Sequence, residues 1–160
     1  MGTKNLSEYN EKSLASAGNM KFGIVYTEWN NEITGELFRG AFETLILHGA
    51  KKKNIFSRAV PGCFELTYAS AIMAENMDVD AVICLGCVIQ GETPHFTFIS
   101  QGVTNGITEL NLMYDIPFIF GVVTTGNKQQ ALDRCGGKHG NKGVEAAITA
   151  IKMVEFKRSF

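Results

Sequence analysis

The stretch A-V-I-C-L-G-C-V-I-Q-G-E-T-P-H-F-T-F-I-S-Q, residues 81–101, decides how the rest of the chain is arranged. Eight apolar residues, interrupted only by Gly86, lead from Ala81 to Ile89. Their length and β-branched content are those of a strand buried on both faces, as in a parallel sheet. Gln90, Gly91 and Glu92 then form a polar turn, Thr93 is a good N-cap, and Pro94 suits a first helical position, where its missing N–H is no loss. Phe96, Ile99, Val103, Ile107 and Leu110 follow at three- and four-residue steps, so the expected helix packs back on the sheet. A glycine loop at a helix N-terminus offers unpaired backbone N–H groups and the positive end of the dipole, which suit a phosphate or another oxyanion. His95 falls in that first turn, where the field favours a neutral imidazole able to take a proton and hand it on. A lone histidine there ordinarily just covers the helix end; strand end, glycine turn, cap and imidazole together mark a site.

Working outward, the same alternation recurs. K-F-G-I-V-Y-T, residues 21–27, reads as the first strand, Glu28 to Asn31 as the loop at its end, and Phe38, Ala41, Phe42, Leu45 and Ile46 as the apolar face of a helix stopped by Gly49. Residues 54–60 form a second strand, ended by Pro61-Gly62, with Leu66, Ala69, Ile72 and Met73 on the next helix. Residues 116–123 form the fourth strand, and a short helix over 127–135 is broken by Gly136-Gly137. Asn141 caps a last helix carrying Val144, Ala147, Ile148, Ile151 and Val154. Strands separated by whole helices predict an α/β chain with a parallel sheet, helices on both faces and right-handed crossovers. Residues 1–20 are polar and read as an N-terminal arm, and 21–160 as one domain.

At 160 residues, 45% apolar and 19% charged, the chain is long enough for a sizeable core. A net charge of -1 gives no electrostatic footprint for nucleic acid or an anionic membrane. No apolar run reaches transmembrane length, and the polar start lacks the hydrophobic stretch of a signal peptide, so a cytoplasmic location is expected. Four cysteines, Cys63, Cys84, Cys87 and Cys135, fit a reducing compartment. Cys84 and Cys87 spell C-x-x-C, but on a strand positions three apart face opposite ways, so the pair is not expected to hold one metal or to bond. Cys84 reads as core.

In open α/β sheets ligands bind beyond the carboxyl ends of the strands. Those ends carry Trp29-Asn30, Gly62-Cys63-Phe64-Glu65, Gln90 to Thr93 with His95, and Thr124-Thr125. Trp29, the only tryptophan, suits stacking on a flat ring, or equally a hydrophobic staple on its own helix. Glu65 suits hydrogen bonds from a polyol, or simply the dipole of the helix it begins. Arg134 reads as an ordinary charge in a last helical turn. Lys138, His139 and Lys142 sit in the glycine-dense loop G-G-K-H-G-N-K-G, which can bind phosphate but lacks Walker spacing.

Y-T-E-W-N-N (26–31), V-P-G-C-F-E-L (60–66), L-G-C-V-I-Q-G-E-T-P-H-F (85–96), P-F-I-F-G-V-V-T-T (117–125) and D-R-C-G-G-K-H-G-N-K-G (133–143), in this order and spacing, closely resemble the lumazine synthase family. The resemblance covers nearly the whole domain. It implies a flavodoxin-like three-layer α/β/α sandwich with a four-stranded parallel sheet, its N-terminal arm adding a strand to a neighbouring subunit. It implies a reaction without cofactor or metal: 5-amino-6-(ribitylamino)uracil and 3,4-dihydroxy-2-butanone 4-phosphate condense to 6,7-dimethyl-8-ribityllumazine, releasing phosphate and water. On this resemblance Trp29 and Asn30 meet the pyrimidine, Cys63, Phe64 and Glu65 line the ribityl and pyrimidine site, and backbone groups of Cys87, Val88 and Ile89 contact the ring. Glu92 and Thr93 N–H groups, with Arg134, hold the phosphate. Phe120 completes the pocket from an adjacent subunit, Lys142 lies close by, and His95 carries the proton. The family assembles as pentamers, often as 60-subunit shells, and the short link between the last helices favours the shell. Small-molecule substrates and copies of the chain are the expected partners. Gln90 stands where many relatives carry a basic residue, and Gly126 where many carry an acid.

Overall fold

The computed structural model describes residues 7–160. Residues 1–6 of the expected arm lie outside the described residues. β1 (Phe22–Thr27), β2 (Ile55–Val60), β3 (Ala81–Ile89) and β4 (Phe118–Thr125) form one parallel sheet in the order β2-β1-β3-β4. The chain runs outward from β1 to β2, then returns past β1 to β3, so the order reverses between β1 and β3. Their carboxyl ends flank a crevice at that point, the place where open α/β sheets bind ligands.

Two helices cover each face. α1 (Asn31–Leu47) and α5 (Lys142–Arg158) pack with Phe22, Ile24, Ile83, Leu85 and Cys87 on one side. α2 (Leu66–Asn76) and α3 (His95–Met113) pack with Val25, Val82, Cys84, Phe118 and Val122 on the other. Cys84 and Cys87 thus enter opposite cores, as period-two alternation requires. The expected stripe on α3 holds where it is buried, at Val103, Ile107 and Leu110.

Beside β1, which begins at Phe22 and not at Lys21, four details differ from the sequence expectation. β2 begins at Ile55, because residues 52–54 close a 3-10 turn. β4 begins two residues late, at Phe118: Pro117 has no N–H to give a ladder, although its carbonyl accepts from Val82 at 3.0 Å. The strand also continues past Val123, so Thr124 and Thr125 pair with Val88 and Ile89. Pro94, not Thr93, is the N-cap of α3; its carbonyl accepts from Thr97 and Phe98, and Thr93 makes no capping bond. Residues 127–135 split into α4 (Lys128–Asp133) and a small antiparallel hairpin of β5 (Cys135–Gly137) and β6 (Gly140–Asn141). Gly136 and Gly140 adopt φ of 120° and 80°, which a glycine tolerates and an L side chain resists.

Residues 7–20 fold back on their own chain. The Ser7 hydroxyl bonds both backbone groups of Asn141, the Tyr9 hydroxyl meets His48 Nε2 at 2.6 Å, and Ala17 and Met20 are buried. Within residues 7–20 the one regular element is the 3-10 turn Glu11–Ser13.

Candidate active site

The crevice at the β1/β3 reversal is a cleft of about 380 Å³ lined by Trp29, Asn30, Cys63, Phe64, Glu65, Cys87, Val88, Ile89 and His95, together with Thr27, Gly62 and Ile99. Nine residues singled out from sequence therefore share one cavity, contributed by the ends of β1, β2 and β3 and the start of α3.

Each wall has a local cause. Trp29 follows β1 in a polar loop and stays 65% exposed, its indole lying over Gly62, where a Cβ would come within 2.5 Å of the ring. Gly62 therefore lets the ring lie against the β2 turn, where the indole lines the cleft. Asn30 adopts φ 59°, a left-handed conformation asparagine tolerates, and its amide donates to the Cys87 carbonyl at 3.2 Å. Glu65 closes the 3-10 turn Cys63–Glu65: its Oε2 accepts from the Gly62 N–H at 3.0 Å, and among the described residues its Oε1 has no partner. Phe64 is exposed beside it.

Cys63 sits at the floor, against Gly86. Burial pushes its thiol up to about 11, an effect lessened by hydrogen bonds with the Cys87 backbone and the Thr27 side chain. Burial likewise raises Cys87 to about 12. Neither thiol is a nucleophile at neutral pH, since the thiolate is the reactive form. The two residues serve as walls, and Cys87 offers backbone groups to the cavity.

Beyond the cleft, Glu92 and Thr93 are exposed, and among the described residues their N–H groups have no hydrogen-bond partner. The N–H groups of His95 and Phe96 add to the open end of α3. Donors suited to an oxyanion thus stand next to the imidazole.

Arg134, Lys142 and Phe120 are elsewhere. Phe120 and Lys142 line a second groove of about 370 Å³ along β4 and α5, with Glu145, Ala146 and Thr149. Arg134 does not project freely from a helix end, as its sequence position suggested. Its side chain is 19% exposed and ion-paired at 2.8 Å with Glu145, and its other terminal nitrogen donates to the His139 carbonyl at 2.7 Å. Within one chain the guanidinium and the imidazole share no cavity, so four strand ends do not make one complete rim. Glu145 was missed in the sequence; its only signal there is its position three residues after Lys142, in the first turn of α5. Among the described residues no group of three or more metal-ligating side chains occurs, and no helix is long and apolar enough to cross a membrane.

A family profile described as 6,7-dimethyl-8-ribityllumazine synthase matches residues 19–158. Proteins of that name are similar over almost the full chain. The one from Parabacteroides distasonis is 58% identical over 153 residues, covering 96% of both chains. That from Phocaeicola vulgatus is 58% identical, covering 96% of this chain and 91% of its own, and that from Porphyromonas gingivalis is 54% identical over 154 residues, covering 96% of both.

Proposed function

The chain belongs to the 6,7-dimethyl-8-ribityllumazine synthase family, and from that premise we propose how its own residues divide the family's reaction between them. It is a transferase of riboflavin biosynthesis that condenses 5-amino-6-(ribitylamino)uracil with 3,4-dihydroxy-2-butanone 4-phosphate. The product is 6,7-dimethyl-8-ribityllumazine, and phosphate and water leave.

Chemically the pyrimidine amine attacks the ketone carbonyl, an imine forms with loss of one water, phosphate is expelled, and the ribityl-bearing nitrogen closes the ring on the second carbonyl with loss of a second water. None of these steps needs a protein nucleophile. They need two substrates held together and protons moved between them. The pyrimidine lies in the cleft against Trp29, with ring edges on the backbone of Cys87, Val88 and Ile89. Glu65 uses its second carboxylate oxygen for ribityl hydroxyls while the first caps its turn. Cys63, Phe64 and Asn30 shape the walls. His95, at the mouth, moves the proton. The phosphate of the four-carbon substrate sits on the Glu92 and Thr93 N–H groups, and Arg134 completes its charge neutralisation.

Because Arg134, Phe120 and Lys142 lie away from the cleft within one chain, the complete site forms where the groove of one copy meets the cleft of the next. That separation is the observation that carries the assignment of active sites to subunit interfaces. The assembly is a pentamer of such contacts, and the short β5–β6 link favours sixty copies in a shell. Exposed Phe64, Tyr68, Phe98, Leu112 and Met113 on the α2 and α3 side supply apolar surface for it. Four unpaired thiols suit the cytoplasm.

Mixing both substrates with the purified protein and following product fluorescence tests the reading. Turnover supports it. Tight binding of added lumazine without its formation would instead describe a carrier.

A further inference from the structure

The second groove holds a carboxylate where electrostatics alone would not place one. Glu145 ion-pairs with Lys142 of the groove through Oε2 at 3.2 Å and, through Oε1 at 2.8 Å, with Arg134 beside it, its side chain only 16% exposed. A phosphate approaching Arg134 meets a like charge in Glu145, so a purely attractive site would do better without it. We propose that Glu145 is a positioning residue, which presets the Arg134 guanidinium and the Lys142 ammonium for the phosphate of the four-carbon substrate. This rests on the assignment of Arg134 to that phosphate.

The geometry of the platform supports the role. Glu145 stands on the first turn of α5, whose start is fixed by Asn141. The Asn141 side-chain oxygen accepts from Gly143 at 2.8 Å and from Val144, and its amide donates to the Glu36 carbonyl of α1 at 2.9 Å. Arg134 is bound to the same body through its backbone, since its carbonyl accepts from the Lys142 N–H at 2.9 Å. One N–H of each terminal guanidinium nitrogen is used, toward Glu145 and toward His139, which defines the plane of the group. Among the described residues the Nε–H and the other two N–H groups remain for a ligand. A fork held in one plane loses less rotamer freedom when it binds an oxyanion bidentately. Glu145 thereby exchanges some attraction for orientation.

Two effects of opposite sign make the idea testable in the assembled enzyme. Replacing Glu145 by Gln keeps the shape and removes the like charge. If charge alone mattered, phosphate would bind more tightly; if positioning dominates, it binds more weakly. The expected result for Glu145→Gln is a KM for the phosphate-bearing substrate raised by roughly 10-fold, the low end for losing a charged hydrogen bond, with the KM for the pyrimidine within about twofold. Inhibition by inorganic phosphate weakens in parallel. Glu145→Asp, which keeps the charge one methylene back, gives an intermediate KM, and the double variant Glu145→Gln/Arg134→Ala is no worse than Arg134→Ala alone. Thermal melting and sedimentation check that each variant still folds and assembles. Tighter phosphate binding by Glu145→Gln, or losses that add in the double variant while Arg134→Ala alone weakens phosphate, overturn the positioning role and leave the Arg134 assignment standing. Unchanged phosphate affinity in Arg134→Ala overturns both.

Discussion

The side-chain amide of Asn30 donates to the backbone carbonyl of Cys87 at 3.2 Å, tying the loop after β1 to the end of β3 across the point where strand order reverses. Both residues line the cleft, so the bond joins two of its walls. Asn30 also carries the one left-handed φ among the described non-glycine residues, 59°. Asn30→Ala loses the bond and strains the backbone, so it should lower unfolding free energy by about 1–2 kcal/mol. Asn30→Gly relieves the strain and loses only the bond, so urea denaturation should place it between wild type and Ala.

Trp29 depends on a missing side chain. A Cβ at Gly62 would come within 2.5 Å of the indole and within 3.2 Å of Glu65 Oε2. Gly62→Ala should tilt the ring off the turn and disturb the cap at once. Because Trp29 is the only tryptophan, its emission reports the change directly, and the KM for the pyrimidine should rise while the phosphate-bearing substrate is little affected.

His95 is exposed at the cleft mouth and lines it. In the proposed mechanism its proton transfer is one contribution among several, beside positioning of the two substrates. His95→Ala should slow kcat by roughly 10²-fold or less, the lower range for a single proton-transfer group. An unchanged kcat would remove His95 from the mechanism.

Burial raises the thiols of Cys63 to about 11 and Cys84 to about 12. Both stay neutral in the fold at a pH where an unfolded chain ionises them, near 8.5 on average. Their folded pKa is above the unfolded one, so the stability they contribute is complete below about pH 8.5 and declines as pH climbs toward 11–12. Each thiol adds up to about 1.4 kcal/mol per pH unit to that decline. Urea midpoints measured from pH 8 to 10.5 should fall, and Cys84→Ala should flatten the fall after correction for its lower starting stability.

Much of this was legible in the sequence, for reasons visible in single residues. The run at 81–89 is apolar on both faces, because Cys84 and Cys87 really do enter different cores, and such a strand has no other place than the middle of a parallel sheet. Turn residues mark the strand ends as clearly, and with them Trp29, Asn30, Cys63, Phe64, Glu65 and His95 of the cleft, whereas Cys87, Val88 and Ile89 came from the family resemblance. The hairpin at 135–141 was not legible: strands of three and two residues, held by glycines at positive φ, carry no alternation to read. Arg134 looked like a surface charge because helix position alone is silent about Glu145, eleven residues on, beside which the hairpin brings it. That His95 and Arg134 sit apart in one chain is likewise a property of the fold, and motifs in a line cannot express it.

The central claim is that the cleft of one copy and the groove of the next make one site. Co-assembly of two inactive variants, His95→Ala and Arg134→Ala, after shared denaturation and refolding measures this directly. Some interfaces in the mixed assembly then pair an intact cleft with an intact groove, so lumazine synthesis should return well above the sum of the two variants assembled separately. Activity no higher than that sum, in assemblies shown by mass to contain both chains, would contradict the account.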